Sequence, residues 1–243
     1  MMAAIPHTAM VFAAGFGTRM QPITHTTPKP LVSVAGKTLL DWRLDALAKA
    51  GVKRAVVNTH HLGDQVKEHL SARDDMEIII SHEEEILETG GGMVQALPYL
   101  GSDPIFVVNS DVIWLDESVG ELTLQRMADA YEPETTDMLL LLQPVEKAWG
   151  YKGNGDFNCT EDGRLFRKAT DTHRAFVFTG LQIFNPEILA HELLRPFSLS
   201  DIFLKRYQPD GLFACMRGLI HSGAWLHIDS PQSLEAAETF LSH

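Results

Sequence analysis

The stretch Ala9-Met10-Val11-Phe12-Ala13-Ala14, followed directly by Gly15-Phe16-Gly17-Thr18-Arg19, decides the fold class. Its first six residues are apolar, and the run has the length of a buried strand rather than of a helix. The two glycines then allow a tight turn in which backbone N–H groups face one concavity and bind phosphate oxygens. The sequence therefore predicts a strand that ends in an anion-binding turn.

Beyond this turn, short apolar runs alternate with amphipathic stretches as far as about residue 145. The predicted strands are 9–14, 54–58, 77–81, 105–109 and 138–143, and the predicted helices are 39–50, 62–71 and 92–100. This alternation is typical of a parallel sheet with right-handed crossovers and helices on both faces. Ligands bind such sheets at the carboxyl ends of the strands, so the residues that follow each strand are the candidates for function.

The second half of the chain, about residues 146–243, has a different pattern. Its predicted strands are 156–159, 165–168, 176–184, 213–217 and 225–229, and its predicted helices are 200–207 and 231–241. Several of these strands follow one another without a helix, which is typical of antiparallel pairing. Because no linker separates the halves, we predict a single α/β domain, 1–243. It has a mostly parallel sheet, helices on both faces and a small antiparallel annex.

Composition excludes several functional classes. The net charge is −12, which argues against non-specific binding to nucleic acid. No apolar run approaches the roughly 20 residues of a membrane helix, and residues 1–8 lack the features of a signal peptide. The two cysteines, Cys159 and Cys215, have neither metal-site spacing nor a disulfide framework. We therefore expect a cytoplasmic protein that binds neither nucleic acid nor a membrane.

An acidic protein that binds phosphate must supply local positive charge. Arg19 offers a planar fork of donors that suits phosphate. Ten residues further on, Lys29 lies between two prolines that stiffen the backbone around its ammonium. We predict that both side chains bind phosphate.

Two common phosphate motifs are absent. A dinucleotide fingerprint requires a third glycine where this chain has Met20. A P-loop requires a glycine where this chain has Leu31, five residues before Gly36-Lys37-Thr38. We interpret that tripeptide as a turn and the start of a helix.

The pattern Gly15-x-Gly17-Thr18-Arg19, with Pro22, Thr24 and Pro28-Lys29-Pro30-Leu31, resembles the signature of the sugar nucleotidyltransferases, the nucleoside-diphosphate-sugar pyrophosphorylases. The resemblance implies a Rossmann-like fold. It also implies Mg²⁺-dependent transfer of a nucleotidyl group from a nucleoside triphosphate to a sugar-1-phosphate, with release of pyrophosphate. In that reading Arg19 and Lys29 bind the triphosphate, residues 1–145 bind the nucleotide and residues 146–243 bind the sugar.

Two aspartates follow predicted strands. Asp111 comes after 105–109, and Asp229 ends 225–229. Mg²⁺ prefers oxygen ligands and usually takes one or two carboxylates. From the residues alone, Asp111 is equally well a turn residue and Asp229 a helix pre-cap. The resemblance implies that both bind Mg²⁺ and that Arg19, Lys29 and Asp111 form the catalytic set.

The segment Glu88-Thr89-Gly90-Gly91-Gly92 precedes a predicted helix. Its glycines permit close backbone approach to a planar base, although a flexible loop and helix cap is the alternative. The acidic run 83–85 just before it is interpreted as a solvated face. The resemblance implies nucleotide contacts from Ala13, Ala14, Gly15, Gly17, Thr18, Arg19, Lys29, Glu88, Thr89, Gly90 and Gly91.

Candidate sugar-phosphate ligands lie in the second half. They are Asp156, Lys168, Thr179 and Gly180. A hairpin turn for Asp156 and a solvated strand position for Lys168 are the alternatives. Together with 88–92, these segments resemble the family members of peptidoglycan recycling that use UTP and N-acetylmuramate-1-phosphate. The commoner Asn-Ala-Gly form is absent near Thr179-Gly180.

Other functions remain open at this point. They are a mannose- or heptose-1-phosphate guanylyltransferase, a cytidylyltransferase for a non-sugar alcohol phosphate, and a non-catalytic nucleotide-binding regulator. The presence of Arg19, Lys29, Asp111 and Asp229 together argues against the regulator. We expect a monomer or a simple homodimer.

Overall fold

The computed structural model describes residues 4–116, 122–167, 170 and 172–242, which form fourteen strands and six α-helices. The strands are β1 (Thr8–Phe12), β2 (Ser33–Val34), β3 (Lys37–Thr38), β4 (Arg54–Thr59), β5 (Glu77–His82), β6 (Ile105–Asn109), β7 (Val112–Trp114), β8 (Met138–Pro144), β9 (Ala148–Trp149), β10 (Asn158–Cys159), β11 (Arg164–Phe166), β12 (Phe176–Phe184), β13 (Leu212–Ile220) and β14 (Trp225–His227). The helices are α1 (Leu39–Ala50), α2 (Gly63–Leu70), α3 (Glu88–Leu100), α4 (Thr123–Ala130), α5 (Leu199–Lys205) and α6 (Pro231–Leu241).

A nine-stranded sheet forms the centre of the fold, in the order β10-β11-β13-β8-β12-β6-β1-β4-β5. β1 pairs in parallel with β4 and β6, β4 with β5, and β13 with β8. β12 is antiparallel to β6 and β8, and β11 is antiparallel to β10 and β13. All strands of this central sheet except β11 and β12 therefore run in one direction, which confirms the predicted mostly parallel sheet.

Strand β12 of the second half lies between β8 and β6, and β13, β11 and β10 extend the central sheet beyond β8. The small separate sheet is β7-β14-β9. Strand β7, which is antiparallel to β14, was not predicted from the sequence. The backbone N–H of Ile228 also donates to the carbonyl of Asp111 at 3.0 Å. This small sheet brings together the start of β7 and the end of β14.

Successive residues of β1 point to opposite faces of the central sheet, as the pleat requires. Ala9 and Val11 pack on one side with Leu44 of α1, and Met10 packs on the other side with Met93 of α3. Helices therefore cover both faces, as predicted. Among the helices that the structure describes, none has the length and apolar character needed to span a bilayer.

Capping residues mark both ends of α1 and the start of α6. The Thr38 hydroxyl accepts the backbone N–H of Asp41, and Gly51 ends α1 in the left-handed region with φ 98°. The Gly36-Lys37-Thr38 tripeptide forms the β2–β3 turn and the cap of α1, as interpreted. Ser230 and Ser233 form a capping box at the start of α6.

Candidate active site

A cavity of about 300 Å³ lies at the carboxyl ends of β1 and β6. All the predicted nucleotide-binding residues line it except Gly90 and Gly91, and both predicted metal ligands line it. Further lining residues were not predicted from the sequence, namely Phe12, Pro30, Asn58, Glu83, Ile86, Asn109 and Ser110. Most of these lie at or just beyond a strand end, so position in the sheet is the signal that would have identified them.

The turn after β1 presents backbone donors to this cavity. The N–H of Ala13 donates to Asn58 Oδ1 at 2.7 Å, whereas those of Ala14, Gly15 and Gly17 have no acceptor among the described residues. Gly17 has φ 62°, and a Cβ there would lie 2.9 Å from Lys29 Cβ. A glycine is required here by both the backbone and the space, and the turn leaves N–H groups available to an anion.

Two ion pairs converge on the cavity. Lys29 Nζ lies 2.8 Å from Asp111 Oδ2, and Arg19 Nη1 lies 2.6 Å from Asp229 Oδ2. The Lys29 side chain is only 12% exposed and Arg19 is 71% exposed. The first pair is therefore part of the interior wall, while the second lies at the mouth.

Opposing effects act on the pKa of Asp111. Burial raises it, but the charge and hydrogen bond of Lys29 outweigh burial, so the pKa lies below its usual value. Burial lowers the pKa of His227, and this outweighs the raising effect of Asp111 and Asp229. At neutral pH the site therefore presents an ionised Asp111 beside a neutral imidazole.

The charges around the cavity fit a divalent cation. Arg19 and Lys29 are outnumbered among the lining residues by the carboxyl groups of Glu83, Glu88, Asp111 and Asp229. In the described part of the chain, no three His, Cys, Asp or Glu side chains form a ready-made metal cluster. Mg²⁺ needs only one or two carboxylates when phosphate and water supply its other ligands, so the donor set of Asp111 and Asp229 fits Mg²⁺.

Glu83 corrects one interpretation from the sequence. Glu84 and Glu85 are exposed, but the side chain of Glu83 is fully buried. Its Oε1 accepts from Asn58 Nδ2 at 2.7 Å, and its Oε2 accepts the backbone N–H of Leu87 at 2.9 Å. Because Asn58 in turn accepts the backbone N–H of Ala13, this buried carboxylate supports the turn after β1 through one intermediate side chain.

The glycine-rich segment before the predicted helix is a second correction. α3 begins at Glu88, so the glycines lie inside the helix. The N–H groups of Gly90 and Gly91 donate to the Phe197 carbonyl at 2.8 and 3.3 Å, and a Cβ on Gly91 would lie 2.3 Å from the Arg195 carbonyl oxygen. These glycines therefore permit close packing of α3 and are not the backbone wall for a base that we expected.

Glu88 and Thr89 lie at the cavity, although each has a structural feature of its own. Glu88 adopts a left-handed conformation with φ 57°, which directs the chain into the helix. The Thr89 hydroxyl accepts the N–H of Leu199 at 2.8 Å and so ties α3 to the start of α5. The sequence alone indicated neither the left-handed conformation of Glu88 nor the hydrogen bond of Thr89.

The predicted sugar ligands are dispersed. Asp156 Oδ2 accepts the N–H of Phe178 at 2.9 Å. Thr179 is fully buried and its hydroxyl donates to the Leu141 carbonyl at 2.9 Å, which corrects the expectation of a side chain free for a sugar. Gly180, with φ 80°, abuts the cavity-lining Asn109. Lys168 lies outside the described residues.

A second cavity of about 580 Å³ adjoins the first and shares Arg19 and Asp229 with it. Its remaining wall consists of residues of the loop after β9, of the end of β14 and of α6 with its capping residue. These are Gly150, Tyr151, Lys152, Gly153, His227, Ser230, Gln232, Ser233 and Ala236. The two cavities thus meet at the Arg19–Asp229 ion pair.

Solved structures of other proteins match this fold over nearly the whole chain. HddC from Yersinia pseudotuberculosis complexed with GMP-PN superposes with a TM-score of 0.77 at 20% identity, covering 97% of this chain and 99% of that chain. The inositol-1-phosphate CTP transferase from T. maritima gives a TM-score of 0.74 at 19% identity, covering 97% and 95%. At such identities the likeness establishes the fold.

Sequence comparison gives closer relatives. The N-acetylmuramate alpha-1-phosphate uridylyltransferase of Caulobacter vibrioides is 40% identical over 99% of each chain. Its counterpart from Neisseria meningitidis serogroup B is 32% identical over 95% of this chain and 96% of that protein. The profile of the nucleotidyl transferase family matches residues 8–241. The chain therefore belongs to the nucleotidyl transferase family.

Proposed function

We propose that this enzyme transfers a uridylyl group from UTP to N-acetylmuramate α-1-phosphate and releases pyrophosphate. The observation that carries the proposal is the convergence of two cations, Arg19 and Lys29, and two carboxylates, Asp111 and Asp229, on one cavity. Two relatives that carry this name align over nearly their whole length, which supports the choice of substrates.

Bond changes in this reaction need little from the protein beyond positioning. An oxygen of the sugar-1-phosphate attacks the α-phosphorus of UTP while the bond from that phosphorus to the β-phosphate oxygen breaks, and pyrophosphate leaves. Because the attacking phosphate is already an anion, no general base is required. Catalysis then consists of alignment and stabilisation of charge.

Arg19, Lys29 and the free N–H groups of the first turn bind the triphosphate in this proposal. Arg19 and Lys29 exchange their carboxylate partners for phosphate oxygens when the nucleotide binds. Asp111 and Asp229 would hold Mg²⁺, which would offset part of the negative charge of these carboxylates and of the phosphates.

The second cavity accommodates the acceptor in this proposal. It adjoins the first at Arg19 and Asp229, so an acceptor phosphate placed at that junction lies beside the triphosphate. Its volume of about 580 Å³ is within the range of small-molecule sites. Asp156 and Gly180 remain candidate sugar contacts. Asp156 belongs to the loop after β9, and Gly180 packs against Asn109 at the end of β6.

The enzyme also belongs, we propose, in the cytoplasm. Cys159 and Cys215 are both free thiols, which suits a reducing compartment. A single domain, acting as a monomer or simple homodimer, completes the proposal.

Substrate use is tested with the purified chain, Mg²⁺ and a matrix of triphosphates and acceptors, with release of pyrophosphate as the measurement. UTP with N-acetylmuramate α-1-phosphate is expected to give a kcat/KM at least about tenfold above any other pair, a difference of about 1.4 kcal/mol in the transition state. Preference for GTP with mannose- or heptose-1-phosphate would indicate a guanylyltransferase, and preference for CTP with an alcohol phosphate a cytidylyltransferase. No release from any pair would refute a catalytic function.

Replacing Arg19 with alanine is expected to separate activity from stability. The Arg19–Asp229 pair is exposed, so its loss changes the free energy of unfolding by about 1 kcal/mol or less. Loss of a phosphate-binding guanidinium is expected to lower kcat/KM about 10²-fold. Pyrophosphate release and urea unfolding measure the two effects.

Arg54→Ala is the matched control, since Arg54 forms an exposed pair with Glu77 at 2.7 Å and lines neither catalytic cavity. It should alter stability as little as Arg19→Ala and leave turnover unchanged. Equal turnover in the two variants would remove Arg19 from the proposed phosphate site.

A further inference from the structure

The wall of the second cavity includes a positive charge, that of Lys152, to which the proposed reaction assigns no role. The loop after β9 contributes Gly150, Tyr151, Lys152 and Gly153 to it. Among the lining residues, the lysine and arginine side chains are those of Lys152 and Arg19, and Arg19 is already paired with Asp229 at 2.6 Å. Lys152 therefore carries the available positive charge of the cavity.

Lys152 has no partner of its own. It is exposed, and in the described ranges of the chain its ammonium forms neither a hydrogen bond nor an ion pair. The chain has 32 acidic and 20 basic residues, so carboxylates are abundant. An unpaired cation among the residues that line a cavity of such a protein is available for an anionic ligand.

Two arginines that do not line the cavity hydrogen-bond to the next residues of the same loop. The backbone N–H of Arg174 donates to the Asn154 carbonyl at 2.7 Å, and its buried Nε has no acceptor among the described residues. Arg167 Nε donates to the Asp156 carbonyl at 2.6 Å. These contacts hold the backbone of residues 154–156, and the carboxylate of Asp156 in the same segment accepts the backbone N–H of Phe178 at 2.9 Å.

The junction with the first cavity already provides for the acceptor's phosphate. Arg19 and the proposed metal ligand Asp229 lie there. The proposed reaction places the acceptor's phosphate at that point, beside the triphosphate. Lys152 belongs to the loop that forms another part of the cavity wall. Its charge therefore suits a second anionic group on the acceptor, distinct from the reacting phosphate.

We propose that Lys152 binds a carboxylate carried by the acceptor sugar and thereby selects acidic sugar phosphates over neutral ones. This inference rests on the proposed function. N-acetylmuramate differs from N-acetylglucosamine by a lactyl ether that ends in a carboxylate, so the two 1-phosphates differ in that charge. The cavity of about 580 Å³ offers space for the additional group.

The test compares N-acetylmuramate α-1-phosphate with N-acetylglucosamine α-1-phosphate, each with UTP and Mg²⁺, in the wild type and in Lys152→Ala. The ratio of the two kcat/KM values is expected to fall about tenfold in Lys152→Ala, mainly through a higher KM for the acidic acceptor, since a charge-assisted contact is lost. Lys152→Arg, which keeps the charge, should retain most of the ratio. Lys147→Ala, at an exposed lysine of the same region that does not line the cavity, is the matched control and should leave the ratio unchanged.

The outcomes distinguish the inference from the proposed function. If the wild type uses both acceptors and Lys152→Ala changes both kcat/KM values equally or not at all, the inference is wrong and the proposed function stands. If the wild type does not use UTP with the acidic acceptor, the proposed function fails and the inference fails with it. A lowered ratio in Lys152→Ala that Lys152→Arg restores supports both.

Discussion

Asp111→Asn is expected to lower kcat about 10³-fold or more, equivalent to about 4 kcal/mol of transition-state stabilisation. Asparagine has nearly the shape of aspartate but lacks its charge. Asp111 lines the cavity, its pKa is held below the usual value by Lys29, and it is one of the two carboxylates that we propose bind Mg²⁺. The substitution therefore removes a proposed metal ligand and leaves the Lys29 ammonium without its partner. Single-turnover release of pyrophosphate measures the loss.

Asp137→Asn provides the control for this experiment. Asp137 has the same side-chain exposure as Asp111, 24%, and pairs with Arg206 at 2.7 Å, but it lines neither catalytic cavity. Its replacement should cost a comparable ion pair while turnover stays near that of the wild type. If Asp111→Asn keeps turnover within about threefold of wild type, about 0.7 kcal/mol, Asp111 is not a metal ligand in catalysis.

Among the variants considered, Glu83→Ala is expected to lower the free energy of unfolding most, by about 4 kcal/mol. The change leaves two buried donors without an acceptor, Asn58 Nδ2 and the N–H of Leu87, each at about 1–3 kcal/mol, and it opens a cavity. Because Asn58 holds the N–H of Ala13 at 2.7 Å, the KM for UTP should rise as well. Urea unfolding and initial-rate kinetics measure the two effects.

Glu84→Ala is the matched control from the same acidic run, because Glu84 is exposed. It should change the free energy of unfolding by about 0.5 kcal/mol or less. Glu83→Gln is a useful intermediate, since its amide oxygen still accepts from Asn58 while its NH₂ group faces the N–H of Leu87. Stability of Glu83→Ala equal to that of Glu84→Ala would show that the buried network contributes nothing.

Much of the fold was accessible from local sequence. Helix α1 was predicted with the bounds Leu39–Ala50 because Thr38 and Gly51 are strong capping residues that act within one turn. Strand β6 and helix α6 were likewise predicted at their observed bounds. Helix α3 was predicted to begin at residue 92 because glycine is a poor helix former, whereas contact with Phe197 stabilises its first turn from Glu88.

Glu83 shows why part of the site could not be predicted from the sequence. A run of three glutamates indicates a solvated face in any local reading, since an isolated buried carboxylate is costly. Only the folded chain shows that Asn58, from a neighbouring strand, and the N–H of Leu87 satisfy that carboxylate. The partner that decides its burial lies 25 residues away in sequence.

By itself, the sequence determined the βα alternation, the glycine turn with Arg19 and Lys29, and the two strand-end aspartates, because strand length, capping and backbone freedom are properties of neighbouring residues. Tertiary structure alone decided that Lys29 pairs with Asp111 and Arg19 with Asp229, across separations of 82 and 210 residues. The tertiary structure also decided that the glycines of α3 pack closely against Arg195 and Phe197, and that Lys152 is among the residues that line a cavity. Such features depend on which strands lie side by side, and that choice is made by the whole core rather than by any one segment.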